Sequence, residues 1–287
     1  MPNSIGDQGL NAGANYGNPL GATVKQYDEY GFVAPITVLS SVEAEEYRMR
    51  LDKAVALKPD IAHAILKMKS HLVFGCLDEL ARLPAILDSV ETVLGPDIFV
   101  WTSSIFAKNP ASPDFVSWHQ DMTYWGLKPP EIVTAWVALT DSMSDNGCMR
   151  VIPGTHMFDI VPHRDTFAEN NMLSRGQEVD IAVDEAAAID IVLSPGDMSL
   201  HYAKIVHGSH ANLSSRARIG FAIRYISTAV RQSVGAEDSV MLVRGNDKYK
   251  DFLYDPRPTS DFDFGALAAY EEVCERSRRF LFRPSSS

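Results

Sequence analysis

The residues with the most chemical potential sit in Trp118-His119-Gln120-Asp121. Alternate side chains of a β-strand share a face, so in a strand His119 and Asp121 point the same way about one pleat apart. An imidazole and a carboxylate so placed are two adjacent ligands for a divalent ion. A third ligand from another strand completes a two-histidine, one-carboxylate face with open positions opposite, which suits ferrous iron that must also bind a co-substrate and dioxygen. The absence of thiolates from this stretch argues against a structural zinc site. The third ligand is sought downstream, in HYAKIVHGSHANLSSRARIGFAIRY, which holds His201, His207 and His210 ahead of Arg218. His201 and His207 both qualify by spacing.

These residues need rigid strands behind them. IFVWTSSIFAK, SWHQDMTYWGL, IVTAWVAL, MRVIPGT, DIVLSPGDMSLHY and RIGFAIRYI are short aromatic and β-branched runs separated by Gly, Pro, Asn and Asp clusters. They follow a helical N-terminal stretch. Ser40 and Glu43 form a capping-box pattern ahead of a stripe of Val42, Tyr47, Leu51 and Val55, and residues 77–94 read as a second helix stopped by Gly95-Pro96. The segment GALAAYEEVCERSRRF predicts a last helix with Leu267, Tyr270 and Cys274 inward. The expectation is a mainly β protein with flanking helices, a double-stranded β-helix or jelly roll of cupin type. Residues 1–24, rich in Gly and Asn, read as a flexible leader, and 25–287 as a single domain with the C-terminal helix.

The ordered set HQD, AWVALTD, NGCMRVIPGTH, SPGD and HGS-x-x-N, with an arginine eleven residues after the histidine, resembles the phytanoyl-CoA dioxygenase family of iron and 2-oxoglutarate oxygenases. The resemblance runs from about Tyr27 to Thr228. It implies that His119, Asp121 and His207 bind Fe(II), with His201 left as a pocket wall or as a residue supporting the ligands. It also implies that Arg218 holds the distal carboxylate of 2-oxoglutarate, a task for which its planar fork is suited. Gln120, Trp136 and Ser209 match positions that contact or flank the co-substrate, and Lys69 in MKSHLVF matches a further contact. The reaction implied consumes 2-oxoglutarate and O2, releases succinate and CO2, and hydroxylates a C–H bond. Halogenating relatives lack the carboxylate ligand, so Asp121 points away from halogenation. Lys108, Ser103, Tyr124 and Arg224 are further candidates for the pocket wall, while Arg216 reads as a solvated surface residue. His156, in its Pro-Gly turn, reads as a backbone hydrogen-bonder, and Asn146-Gly147-Cys148 as a turn.

Bulk properties narrow the partners. The 26 basic and 37 acidic residues give a net charge of −11, which repels nucleic acid and anionic lipid, and no basic run offsets it. No apolar run is long enough to span a membrane. Cys76, Cys148 and Cys274 form no CxxC pair and read as reduced thiols of a cytoplasmic protein. A small acid or zwitterion is the expected substrate, because no basic cluster for a CoA diphosphate is visible; the oligomeric state is not encoded legibly. The competing readings are another mononuclear metal enzyme of cupin type and a jelly-roll binding module without catalysis.

Overall fold

The computed structural model describes residues 20–234 and 237–281, with side chains described between 24 and 277. In chain order, helix α1 (Leu20–Tyr30) leads into strand β1 (Phe32–Thr37). Four helices follow: α2 (Ser41–Leu57), α3 (Pro59–Ile65), α4 (Gly75–Ala81) and α5 (Pro84–Leu94). The strands then run β2 (Ile98–Lys108), β3 (Val116–His119), β4 (Leu127–Lys128), β5 (Ile132–Ala138), β6 (Met149–Ile152), β7 (His163–Asp165) and β8 (Gln177–Val179). They continue as β9 (Ile189–Ile191), β10 (Asp197–Tyr202), β11 (Val206–Ser209), β12 (Arg218–Ser227), β13 (Arg231–Gln232), β14 (Ser239–Arg244) and β15 (Leu253–Tyr254). Helix α6 (Phe264–Leu281) is the last described element.

Two compact units share this chain, the first made of residues up to 44, 106–123 and 136–220, the second of 45–105, 124–135 and 221 onward. Strands β2, β5 and β12 each give one end to either unit.

The first unit holds the two sheets of the predicted jelly roll. One is ordered β1-β10-β5-β12-β2, with the last three contributing only their ends at 136–138, 218–220 and 106–108. The other is ordered β3-β11-β6-β9. In the first sheet β1 and β10 pair antiparallel, with Phe32 opposite His201. In the second, β11 pairs antiparallel with both neighbours, so His207 lies opposite His119 on one side and Val151 on the other. The Ser194–Asp197 turn that separates β9 from β10 needs Gly196, whose φ is +92° and whose added Cβ would lie 2.3 Å from the Leu39 carbonyl oxygen. Trp136, Val137, Ala138, Val151, Ile152, Met198, Leu200 and Val206 are buried in this unit, each apolar side chain contributing about 1.5–3 kcal/mol for the larger ones.

The second unit carries the other ends of β5, β12 and β2, then β14 and β15. Tyr225 on β12 is fully buried and donates its hydroxyl to the Ala81 carbonyl at the end of α4. The capping box forms as predicted: the Ser40 backbone N–H donates to Glu43, and the Glu43 N–H to the Ser40 hydroxyl.

Several boundaries differ from expectation. Residues 20–24 of the predicted leader belong to α1, while 1–19 lie outside the described residues. The single helix expected over 77–94 is two, α4 and α5, because Pro84 lacks an N–H and opens a new first turn. On α2 the buried positions are Ala44, Leu51 and Ala54, whereas Val42 is exposed and Tyr47 and Val55 only half-buried. On α6 Cys274 is buried as expected, but Ala266, Val273 and Ser277 take the inner positions assigned to Leu267 and Tyr270. All three cysteines are buried and free. Among the described residues no helix is long and apolar enough to cross a membrane.

Candidate active site

The site lies in the first unit. His119 ends β3, and its cross-strand partner on β11 is His207. This register places the two imidazoles 4.1 Å apart between ring centroids. Asp121 does not continue the strand. It opens a single 3-10 turn, Asp121–Tyr124, fastened by the Met122 N–H to the Ala203 carbonyl. One Asp121 carboxylate oxygen lies 3.4 Å from His119 Nε2. One ligand atom from each of His119, Asp121 and His207 falls within 4.8 Å of the others.

The backbone fixes which nitrogen faces inward. His119 Nδ1 lies 2.9 Å from the Ser117 carbonyl and 3.0 Å from that of His207, and His207 Nδ1 lies 3.0 Å from the Ile205 carbonyl. Each Nδ1 therefore carries the proton and donates, leaving Nε2 with its lone pair for a metal. Burial, followed by the neighbouring His119, holds the His207 imidazole well below the usual histidine range, so it is neutral, as a ligand must be. His201, on β10, stands beside this pair with its ring 5.1 Å from that of His207. It is not one of the three converging groups.

Arg218 begins β12, is 2 % exposed, and lies with its guanidinium carbon 5.2 Å from the Trp136 ring centroid on β5. Gly220, two residues on, makes room for that indole: a Cβ there would stand 1.9 Å from Trp136 Cζ2. Arg218 Nε and Nη2 are buried without a hydrogen-bond partner. No carboxylate among the described residues forms an ion pair with it, and burial lowers its pKa to about 10. A buried fork with two unfilled donors is a cradle for a planar anion. Ser209, on β11 two residues after His207, accepts a hydrogen bond from Lys108 Nζ at 2.6 Å.

Other predicted residues do different work. The Gln120 side chain is buried and bound at both ends, its Nε2 donating to the Lys204 carbonyl at 2.8 Å and its Oε1 accepting from Val161 at 2.9 Å. These two bonds tie the Lys204 and Val161 segments to the residue before the Asp121–Tyr124 turn and leave one N–H of the amide unused by them. Lys69 belongs to the second unit and is buried in an ion pair. Its ammonium donates to Asp255 at 2.8 Å and to the Ser239 carbonyl and hydroxyl at 2.6 and 3.0 Å. All three protons are engaged by these acceptors, so this lysine is the cation of a buried ion pair.

Of the candidate wall residues, Ser103 in the second unit is bonded to His71 Nδ1 at 2.7 Å. Arg224 there donates to Ser104 Oγ at 2.5 Å and lies 6.0 Å from the Trp125 ring centroid; Tyr124 is half-buried in the same unit. Arg216 pairs with Asp141 and Asp145 at the surface, as expected. His156 Nε2 meets the Asp28 carbonyl at 3.0 Å, the backbone role foreseen for it. Sequence reasoning missed His163, whose Nε2 accepts the Gln120 N–H at 3.0 Å. Its signal was faint, since it lies on no motif.

The chain belongs to the phytanoyl-CoA dioxygenase family, whose model matches residues 27–220. Among solved structures, the non-heme monooxygenase ThoJ in its apo form is similar over 90% of this chain and 97% of its own, at 35% identity and a TM-score of 0.81. Among curated proteins, human peroxisomal phytanoyl-CoA dioxygenase is 30% identical over 50% of this chain and 44% of its own length. The L-proline trans-4-hydroxylase of Streptomyces griseoviridis is 26% identical over 50% of this chain and 58% of its own. The chain thus spans about half the length of these curated relatives.

Proposed function

We propose that this protein is an Fe(II)- and 2-oxoglutarate-dependent dioxygenase that hydroxylates a C–H bond of a small organic substrate. One observation carries the reading: two histidines and an aspartate converge within 4.8 Å in the same unit as a buried arginine whose donors are unfilled. The donor set fits the ion, because two neutral nitrogens and one carboxylate leave half of an octahedron for small ligands. Bound there, iron with 2-oxoglutarate and dioxygen supplies the oxidising power for the C–H bond and releases succinate and carbon dioxide.

The protein's own contribution is positional. His119 and His207 present Nε2 because their Nδ1 protons are tied to backbone, and Asp121 neutralises part of the charge. Arg218, stacked on Trp136, takes the far carboxylate of the co-substrate bidentately and so sets its orientation. Retention of Asp121 favours hydroxylation over halogenation. A small acid or zwitterion is the substrate class we favour, since the acidic chain offers no basic cluster for a nucleotide-bearing thioester, and the three free cysteines support a cytoplasmic setting. The proline hydroxylase relative has a substrate of that class by its name.

The test is a screen of Fe(II)-loaded protein with small acids and amino acids, scored by succinate above the uncoupled background, alongside anaerobic titration of 2-oxoglutarate followed by visible absorption. Asp121→Ala is expected to abolish hydroxylation. Full activity in that variant removes the aspartate from the ligand set, and wild-type protein with neither succinate nor spectral change removes the reading.

A further inference from the structure

Lys108, at the end of β2, is wholly buried, yet it faces no carboxylate partner among the described residues. Its ammonium donates instead to the Ser209 hydroxyl at 2.6 Å, to the His210 carbonyl, and at 3.4 Å to the Gly147 carbonyl. The turn Asn146-Gly147-Cys148 is shaped for this. Gly147 has φ +77°, and a Cβ on it would lie 2.4 Å from the His210 carbonyl oxygen and 3.0 Å from Lys108 Nζ. Asn212 locks the same corner, its Nδ2 donating to the carbonyls of Asn109 and Arg216 at 2.8 and 2.7 Å. Two motifs, NGC and HGS-x-x-N, therefore converge on one lysine that the proposed reaction has not used.

The charge balance makes this lysine unusual. Arg218, also a buried cation, is the charge that acts most strongly on Lys108; Asp114 opposes it more weakly, and no carboxylate among the described residues forms an ion pair with either. Burial, then that arginine, pulls Lys108 down to about 7. Two like charges kept out of water and unpaired are costly unless an anion regularly joins them. The hydrogen-bond direction supplies the rest. In its protonated form, which an anion held beside it by Arg218 favours, Lys108 only donates, so Ser209 Oγ accepts from it and the serine's own proton is left to donate elsewhere. Ser209 begins no strand turn of its own; it lies on β11, two residues beyond the His207 that the metal needs.

We propose that Lys108 is a positioning residue for 2-oxoglutarate, acting by turning the Ser209 hydroxyl outward as a hydrogen-bond donor to the carboxylate that Arg218 grips. This rests on the oxygenase reading above and adds to it a residue and a direction of proton donation. Lys108 itself does not touch the co-substrate; its three protons are already taken by Ser209, His210 and Gly147.

The experiment is a double-mutant cycle read by isothermal titration of 2-oxoglutarate into Fe(II)-loaded protein without oxygen. Lys108→Met is expected to weaken binding by roughly ten- to a hundredfold, the worth of a hydrogen bond to a charged group. Its KM for 2-oxoglutarate should rise by a similar factor, with kcat at saturation changed less than about threefold. Lys108→Gln keeps an N–H donor and should lose less than Met. In a Ser209→Ala background neither Lys108 variant should cause further loss, and the Gln variant alone completes the cycle if Met does not fold. Equal losses in the two backgrounds overturn the inference, as does unchanged affinity in Lys108→Met. Wild-type protein that binds no 2-oxoglutarate overturns the oxygenase reading and this with it; wild-type binding with additive variants overturns this alone.

Discussion

Replacing Arg218 by methionine should separate stability from co-substrate binding and drive them in opposite directions. Arg218 is 2 % exposed, two of its nitrogens lack partners, and no acid among the described residues pairs with it. Burial moves its pKa from 12.5 to about 10, which corresponds to about 3 kcal/mol spent keeping the charge in place. Methionine removes that cost and fills similar space. It forfeits the stacking on Trp136, worth about 1–2 kcal/mol, so the net gain for ligand-free protein is about 1–2 kcal/mol. For a chain of this size that raises Tm by roughly 2–6 °C. Adding 2-oxoglutarate with Fe(II) under nitrogen, at about a hundred times the wild-type Kd, stabilises the wild type by about 2.7 kcal/mol. The variant, having lost two charge-assisted bonds of about 1.5–3 kcal/mol each, gains almost nothing. In differential scanning calorimetry the two proteins should exchange rank: variant higher without co-substrate, wild type higher with it. A ligand-free variant that melts below wild type, or one that 2-oxoglutarate stabilises as much as wild type, refutes the argument that Arg218 is an unpaired cation awaiting an anion.

Three further outcomes are expected. Gly220→Ala drives a methyl into Trp136 and should cost about 1–3 kcal/mol by denaturant unfolding, with 2-oxoglutarate affinity reduced because Arg218 rests on that indole. His71 is buried and its pKa falls to about 4, chiefly through burial. The unfolded chain therefore binds the extra proton between pH 4 and about 6.5, and stability rises with pH across that window and is lost as the solution is acidified through it. Denaturation at pH 7 and pH 4 should show the wild type losing about 3 kcal/mol more than His71→Gln; equal losses would show that this imidazole does not contribute. Lys69→Met strands the Asp255 carboxylate, whose side chain is fully buried, and should cost about 3–5 kcal/mol in urea; a loss under 1 kcal/mol would return the ion pair to the status of a surface contact.

Local features were legible in the sequence because they need only neighbours in the chain. Ser40 and Glu43 cap α2 as their spacing requires, and the β-branched runs of β2, β5 and β12 fall where alternation and turn residues put them. Pro84 was legible too, but the apolar stripe on both sides of it outweighed the missing N–H in the reading of 77–94 as one helix. The pairing of His119 with His207 spans a loop of 87 intervening residues and rests on strand register, which no periodicity reveals; the resemblance to a family bridged that gap. The ion pair of Lys69 is hidden for the same reason. Its partners Ser239 and Asp255 follow by 170 and 186 residues, and a lysine in an apolar stretch gives no sign of which distant acid it meets. Lys108, ending the run IFVWTSSIFAK, was noted only as a pocket candidate, because the carbonyls that cradle it come from two separate turns.

The three side chains proposed as ligands are not mounted alike. Both imidazoles are seated in rungs of one ladder, so exchanging either residue also disturbs the pairing of β3 with β11. The carboxylate hangs from the bend just past the last rung. If the proposed ligand set holds, swapping that side chain for a hydrogen or a methyl group would empty a coordination corner while the masonry around it stands, which would make Asp121 the point at which this scaffold is most readily re-tooled for a different atom to be delivered.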